Sequence, residues 1–182
     1  IKSRAGTTVF DHVAGNITSG SGKYVKPNQI DAEVSNSNVI NTFNTNGFSV
    51  GGATFVSEGG RTYVAWGWQG AGSTSSNTDG DVTSTVSANT TSGFSVARVS
   101  SLNSNSVGHG LGVEPEFIMN KRTDDVANWR VYFKGHTSGK SLFLNKNGAE
   151  TTEGSRISSA NSSTVTVVGS GNGVSAGAGT SV

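Results

Sequence analysis

The chain of 182 residues carries 13 Lys and Arg against 12 Asp and Glu, and this net charge of +1 gives no electrostatic argument for nucleic acid. Cysteine is absent, which excludes a disulfide framework and a thiolate metal site. No apolar run is long enough for a transmembrane helix, so we expect neither a nucleic-acid partner nor a membrane partner.

Short β-rich segments separated by Gly, Ser and Asn clusters recur along the chain, whereas helical periodicity is nearly absent. Many short strands with turn signals between them predict an all-β fold, a sandwich or a barrel. In chain order, the predicted strands contain residues 48–50, 62–68, 94–96, 117–119, 129–133, 142–144 and 165–168.

The clearest predicted strand covers residues 62–68, where successive side chains alternate between the two faces. Val64, Trp66 and Trp68 share one face of this strand. Such alternation indicates that one face belongs to the core, so we expect Trp66 and Trp68 to be buried together.

The predicted strand at residues 129–133 contains the candidate binding residue. Trp129, Val131 and Phe133 share one face, which we expect to be buried in the core. Tyr132 lies on the opposite face, so it is the best candidate for an exposed aromatic residue that binds a ligand by stacking.

The chain also repeats itself weakly at a nearly constant offset. Gly22 matches Gly139 at an offset of 117 (139 − 22), and Arg4 matches Arg122 at an offset of 118 (122 − 4). A period of this size is typical of one β-sandwich domain. The predicted organisation is residues 1–70 as the later strands of a first unit, residues 71–76 as a flexible Gly/Ser linker and residues 77–182 as a second unit.

Both units are expected to be incomplete, the first at its beginning and the second at its end. The first residue is Ile1, and residues 1–4 have the pattern of a strand that began upstream, so we expect a piece of a longer protein. An incomplete sandwich exposes unpaired strand edges, and the low charge protects them poorly. We therefore expect a homo-oligomer.

Three motifs in the second unit carry a resemblance to a known group of proteins. They resemble a repeat found in virion proteins of tailed bacteriophages, many of them marine. Residues 1–4, 46–48 and 62–66 resemble later parts of the same repeat, so the resemblance covers nearly the whole chain. The motifs are Asn77-Thr78-Asp79-Gly80, Thr91-Ser92-Gly93-Phe94-Ser95-Val96 and Val107-Gly108-His109-Gly110-Leu111-Gly112.

This resemblance implies a concanavalin A-like or SPRY-like sandwich of the jelly-roll kind in a tail fibre, a spike or a capsid decoration. It also implies a location in the virion, other virion proteins as partners and, by analogy with phage fibres, a trimer. The second unit departs from the pattern at Val165, where the first unit has Phe48. The resemblance supplies no catalytic motif that matches this sequence.

Two segments have features of metal sites, and each has a simpler explanation. His109 lies in a glycine-flanked turn without a second ligand at a suitable spacing. Residues 77–81 place oxygen side chains at alternating positions, as calcium loops do, but an Asp-Gly turn accounts for them. We therefore expect no metal and no cofactor.

The acidic pairs Glu114/Glu116 and Asp124/Asp125 are candidates for acid–base catalysis. A glycosidase needs two carboxylates that face each other across a cleft, whereas these pairs fit solvated loops. No Gly-x-Ser-x-Gly elbow supports a serine nucleophile. We expect no catalytic residue and no enzymatic activity.

Three functions are consistent with this sequence. The first is a bacteriophage structural module that acts by assembly, with host-surface attachment as a further role. The second is a carbohydrate-binding receptor module that recognises a host surface glycan, which needs an exposed aromatic residue with polar neighbours. The third and weakest is a secreted glycan-degrading enzyme, which needs convergent acids or a nucleophile.

Overall fold

The computed structural model describes residues 1–4, 12–152, 156–168 and 180–181. These residues form seventeen short strands and one four-residue helix, and all strand pairings are antiparallel. The predicted all-β class is therefore confirmed. Within this part of the chain, no helix is long and apolar enough to cross a membrane.

In chain order the elements are β1 (Lys2–Arg4), β2 (Lys23–Tyr24), β3 (Val34–Ser35), β4 (Ile40–Asn44), β5 (Gly47–Val50), α1 (Thr54–Ser57), β6 (Thr62–Val64), β7 (Ser75–Asn77), β8 (Ser84–Asn89), β9 (Phe94–Val99), β10 (Ser106–Gly108), β11 (Phe117–Arg122), β12 (Arg130–Phe133), β13 (Lys140–Phe143), β14 (Thr151–Thr152), β15 (Arg156–Ala160), β16 (Thr164–Val168) and β17 (Thr180–Ser181).

The later strands form a sandwich of two sheets. One sheet has eight strands in the order β14-β13-β12-β11-β17-β9-β8-β7, and the other has three in the order β10-β16-β15. Both sheets contribute side chains to one core, because alternate residues of each strand point inward. The buried members of this core are Val99, Leu102, Val107, Ile118, Tyr132, Ile157, Val165 and Val167.

The earlier strands form three two-stranded sheets, β1 with β6, β2 with β3 and β4 with β5. Val56 of helix α1 is buried among them. The side chains between these sheets form a second core, and Phe43, Val50 and Phe55 are only partly buried against it. The buried members of the second core are Val13, Tyr24, Val39, Ile40 and Val56.

Strand pairings of the first half recur in the second half in the same register. Ile40 pairs with Val50 in β4–β5, and Ile157 pairs with Val167 in β15–β16, an offset of 117 (157 − 40 and 167 − 50). The register shift that follows each of these pairs also recurs. It lies between Ile40 and Thr42 in β4 and between Ile157 and Ser159 in β15. Such agreement shows that the two hairpins are copies of one arrangement.

The same relation holds for two further pairings. Lys23 opposite Ser35 corresponds to Lys140 opposite Thr152, an offset of 117 (140 − 23 and 152 − 35). In the other pairing, Arg4 opposite Thr62 corresponds to Arg122 opposite Thr180, an offset of 118 (122 − 4 and 180 − 62). We call β1–β6 the first copy and β7–β17 the second copy.

The unit boundaries predicted from the sequence, at residues 70 and 77, stay a prediction. The end of the predicted linker is a strand, since Ser75 and Ser76 belong to β7 and pair with β8. Residues 71–74 form no strand and are exposed.

The first copy packs on the outer face of the eight-stranded sheet through residues 26–33, which we call the docking loop. The Glu33 carboxylate bonds Arg98 of β9 at 2.9 and 3.3 Å. The indole N–H of Trp129 donates to the carbonyl of Lys26 at 2.9 Å. The backbone N–H of Ala127 donates to the carbonyl of Ile30 at 2.8 Å. Residues on the outer face of this sheet are therefore buried where the loop covers them.

This packing corrects the prediction for residues 129–133. Trp129 and Val131 are buried, as predicted, but Phe133 is 39% exposed because it ends β12 opposite the exposed Phe117. Tyr132, predicted to be exposed, is only 8% exposed because it faces the sandwich core opposite Ile118. Both faces of this strand are covered over part of its length.

The prediction for residues 62–68 is also wrong in part. Strand β6 ends at Val64, and the following residues have no strand partner in the described part of the chain. Trp66 and Trp68 are 61% and 65% exposed, so they are not buried together.

Candidate functional site

Trp66 and Trp68 are among the most exposed large hydrophobic residues of the described chain. Trp68 stacks on Phe94 at the start of β9, with ring centroids 6.0 Å apart and ring planes at 20°. Trp66 lies two residues earlier on the same segment and is exposed. We call Trp66, Trp68 and Phe94 the aromatic shelf. The stack holds the Trp68 ring, while most of the ring surface remains open to solvent.

The β8–β9 hairpin fixes the backbone that carries the shelf. The Ser92 hydroxyl donates to the carbonyl of Gln69 at 2.8 Å, and the Asn89 amide donates to the carbonyl of Gly70 at 3.4 Å. The Ser87 hydroxyl accepts the backbone N–H of Ala71 at 3.1 Å. Residues 69–71 are therefore tied at three points to one hairpin.

Gly70 lies close to the side chain of Ser87. A Cβ at position 70 would lie 2.8 Å from the Ser87 hydroxyl oxygen, so a side chain there would displace the hydroxyl that accepts the Ala71 N–H. The hairpin tip is ordered by Asn89, whose side-chain oxygen accepts the backbone N–H groups of Thr91 and Ser92 at 3.0 and 3.1 Å. The turn thus gives the shelf a fixed support.

Polar groups next to the shelf are available to a ligand. Gln69, Thr90 and Thr91 are exposed, and their side chains make no hydrogen bond within the described part of the chain. The segments that build the site, residues 62–78 and 82–97, contain no Asp, Glu, Lys, Arg or His. An aromatic ring with neutral hydrogen-bonding neighbours suits stacking against an uncharged ring, such as a sugar.

Tyr132, the residue predicted to bind a ligand, does not belong to this surface. It is buried, and its ring contacts His136 edge-on at a centroid distance of 4.7 Å. A ligand role for Tyr132 stays a prediction, and its burial does not favour it. The sequence signal that would have indicated the shelf is the Gly-rich segment after Trp68, which is poor strand sequence.

His109 has the contacts of a structural histidine. Its ring is buried, Nδ1 accepts the backbone N–H of Leu111 at 3.2 Å, and Nε2 lies 3.1 Å from the carbonyl of Asn161. Since Nδ1 is an acceptor, Nε2 carries the proton and donates to Asn161. Burial lowers the pKa of His109, which favours this neutral form.

Three of the four predicted acidic residues, Glu114, Asp124 and Asp125, are engaged by neighbouring cations. Glu114 lies 3.2 Å from Lys134. Asp124 accepts a hydrogen bond from Arg122 at 2.8 Å, and this bond lowers the pKa of Asp124. Arg122 also lies 3.4 Å from Asp125. These carboxylates are arranged as surface ion pairs.

The calcium-like segment is held by internal hydrogen bonds. The Asn77 side-chain oxygen accepts the backbone N–H of Asp79 at 2.8 Å, which forms an Asx turn. Asp81 accepts from the backbone N–H and the hydroxyl of Ser106 at 2.8 and 2.7 Å, and these bonds lower the pKa of Asp81. Among the described residues, no group of three or more His, Asp or Glu side chains could hold a metal ion.

Lys121 is a buried charge that the sequence analysis did not identify. Its side chain is 1% exposed, and its ammonium donates to the carbonyls of Arg122 and Ile30 at 2.7 and 3.2 Å. Burial lowers the pKa of Lys121 to about 8, although Asp31, Asp124 and Asp125 oppose this shift. Its contact with Ile30 helps to hold the docking loop on the sheet.

No curated protein and no solved structure matches this chain. A family model described as "Domain of unknown function (DUF7483)" matches residues 1–181. The chain therefore belongs to the DUF7483 family.

Proposed function

We propose that this chain is a non-catalytic structural module of a bacteriophage particle, in a fibre, spike or surface decoration, that acts by assembly and attaches to a host surface. The placement in a particle is supported by the sequence motifs of residues 77–80, 91–96 and 107–112, which resemble a repeat of phage virion proteins. The attachment role is supported by the aromatic shelf.

The single observation that carries the attachment role is the exposure of Trp68, at 65%, on a ring that is already stacked on Phe94. Exposing a tryptophan to water is unfavourable, and large aromatic side chains are enriched at binding surfaces. A ring that is held before binding loses little conformational entropy when a ligand covers it. The shelf therefore has the properties of a binding surface.

The environments of the acidic side chains support a role without catalysis. Glu114, Asp124 and Asp125 pair with cations. None of these carboxylates faces a second acid in the described contacts, as a glycosidase would require. The secreted-enzyme hypothesis therefore has the least support.

A second candidate function is carbohydrate binding, and the absence of charged residues from the two segments that carry the shelf favours it. Sugar rings present apolar C–H faces to aromatic rings and hydroxyl groups to amides and hydroxyls. Gln69, Thr90 and Thr91 offer such polar groups beside Trp68. Since no charged side chain lies in the two segments that build the site, the expected ligand is a neutral glycan.

Two measurements test these proposals. Antibody labelling of purified particles in the electron microscope should place the chain on the particle surface, and unlabelled particles would contradict the virion role.

Trp68→Ala should reduce adhesion of the chain to host cells at least about tenfold without loss of folding. Phe117→Ala is the matched control, since Phe117 is 56% exposed but distant in sequence from the shelf.

Neutral and anionic oligosaccharides separate the glycan proposal from attachment in general. Titration with neutral oligosaccharides should change the tryptophan fluorescence of the chain, and Trp68→Ala should abolish this change. If adhesion depends on Trp68 but no neutral oligosaccharide competes with it, the attachment role is supported. The proposal that the ligand is a neutral glycan is then contradicted.

A further inference from the structure

Two strands of the first copy have an unpaired edge in the described part of the chain. Strand β5 pairs only with β4, and strand β6 pairs only with β1. Neither strand contains a charged residue, since their sequences are Gly-Phe-Ser-Val and Thr-Tyr-Val. Edge strands without charges, prolines or bulges accept further strands readily.

The second copy shows what lies on the equivalent edges. Strand β16, the equivalent of β5, pairs with β10 through Val165 opposite Val107. Strand β17, the equivalent of β6, pairs with β9 through Thr180 opposite Val99. At offsets of 117 and 118, the matching positions of the first copy are Phe48 (165 − 117) and Thr62 (180 − 118).

Within the described residues, apolar surface of the first copy is uncovered where the second copy has these strands. Phe48 is 38% exposed, whereas its equivalent Val165 is 1% exposed. Val50 is only partly buried, whereas its equivalent Val167 is fully buried. In the second copy these positions belong to one core with Leu102 and Val107, which come from the β9–β10 region.

We propose that the open edges of β5 and β6 bind a segment of the same kind as residues 84–108, which adds strands equivalent to β8, β9 and β10 and completes the first sandwich. The main-chain hydrogen bonds of β-strand addition would supply affinity, and apolar side chains equivalent to Val99, Leu102 and Val107 would cover Phe48.

The occupant is a further segment of this repeat that is not already part of a folded unit. Strands β9 and β10 of a second, folded copy of this chain cannot serve, because Val99, Leu102 and Val107 are 3% exposed or less within their own core. Withdrawing them would expose the apolar side chains of that core to water, which is unfavourable. Addition of a free segment has no such cost.

The register of the repeat defines the test. Ile1 corresponds to Met119 at an offset of 118 (119 − 1), so residues 75–118 can be duplicated directly in front of Ile1 in the full chain. Hydrogen exchange and thermal unfolding are then measured. The matched control carries Val99→Asp and Val107→Asp in the added segment only.

The amide hydrogens of Phe48 and Tyr63 should exchange at least roughly tenfold more slowly in the extended chain than in the original chain or the control. The melting temperature should also rise. Unchanged exchange at both residues would overturn the proposal, and so would dimers formed by exchange of the original β8–β10 segments.

This inference rests on the proposed role in assembly, but its test is separate. The extended chain reports on strand addition alone, whereas particle labelling and host adhesion report on the virion role. Slower exchange at Phe48 together with unlabelled particles would support strand addition and contradict the virion role. Labelled particles together with unchanged exchange would support the virion role and contradict strand addition.

Discussion

Asn28 and Asn145 make the same hydrogen bond in the two copies, at an offset of 117 (145 − 28). Asn28 accepts the backbone N–H of His12 at 2.9 Å, and Asn145 accepts that of Trp129 at 2.9 Å. The equivalence extends the repeat from strand pairing to side chains. It also places Asn28 and Asn145, with His12, Pro27 and Leu144, around one pocket of about 310 Å³ between the copies.

Asn145→Ala should lower the free energy of unfolding by about 1–2 kcal/mol, because the Trp129 N–H loses its acceptor. Asn28→Ala should act in the same direction through His12. Urea unfolding measures both. Asn147→Ala is the control, since Asn147 is exposed and makes no described hydrogen bond. Equal stability of Asn145→Ala and the parent chain would show that this bond contributes nothing.

The period-2 patterns predicted the all-β class correctly, because strand side chains alternate regardless of what covers them. They could not predict that the docking loop covers the outer face of the sheet at Trp129, which makes both faces of β12 apolar or buried. Burial of Trp66 and Trp68 depends on whether a partner strand pairs with residues 65–68. The local sequence pattern contains no information about that partner. Burial of Lys121 has the same long-range origin.

Trp129→Ala should destabilise the chain by about 3–5 kcal/mol, since it removes a buried ring that fills the junction with the docking loop. Trp66→Ala is a control of the same residue type, and it should change stability by less than about 0.5 kcal/mol because Trp66 is 61% exposed. Thermal unfolding compares the two variants. Similar melting temperatures for both would contradict the assigned burial.

Limited proteolysis with a broad-specificity protease should cut first at residues 71–74, which are exposed and lie outside any strand. Mass spectrometry of the first fragments identifies the site. Cutting inside Thr62–Val64 before the linker would argue against a boundary between the copies at this place.

The chain should show no turnover of polysaccharides or peptides, because three of its four candidate acids, Glu114, Asp124 and Asp125, are engaged in ion pairs. Release of reducing sugar and cleavage of a fluorescent peptide are suitable assays. Glu114→Gln and Asp124→Asn serve as controls for contaminating enzymes. Hydrolysis that either variant abolishes would establish an enzyme.

The buried ammonium of Lys121 should make stability depend on pH at the alkaline end. Burial lowers its pKa from 10.5 to about 8 in the folded state, so between these values the unfolded chain binds more protons than the folded chain. Stability therefore rises with pH across this window, by up to about 3 kcal/mol from this group. Asp31, Asp124 and Asp125 raise the pKa of Lys121 and Arg122 lowers it, but burial has the largest effect, so these neighbours do not reverse the sign.

Lys121→Met removes the titrating group while it keeps most of the side-chain volume. Urea unfolding at intervals between pH 7 and 10.5 should show the stability of the parent chain rising relative to that of the variant above pH 8. Lys134→Met is the control, because the Lys134 ammonium is exposed and paired with Glu114, which raises its pKa. Parallel curves for the parent chain and Lys121→Met would mean that Lys121 keeps an ordinary pKa, and that its ammonium is hydrated beneath the docking loop.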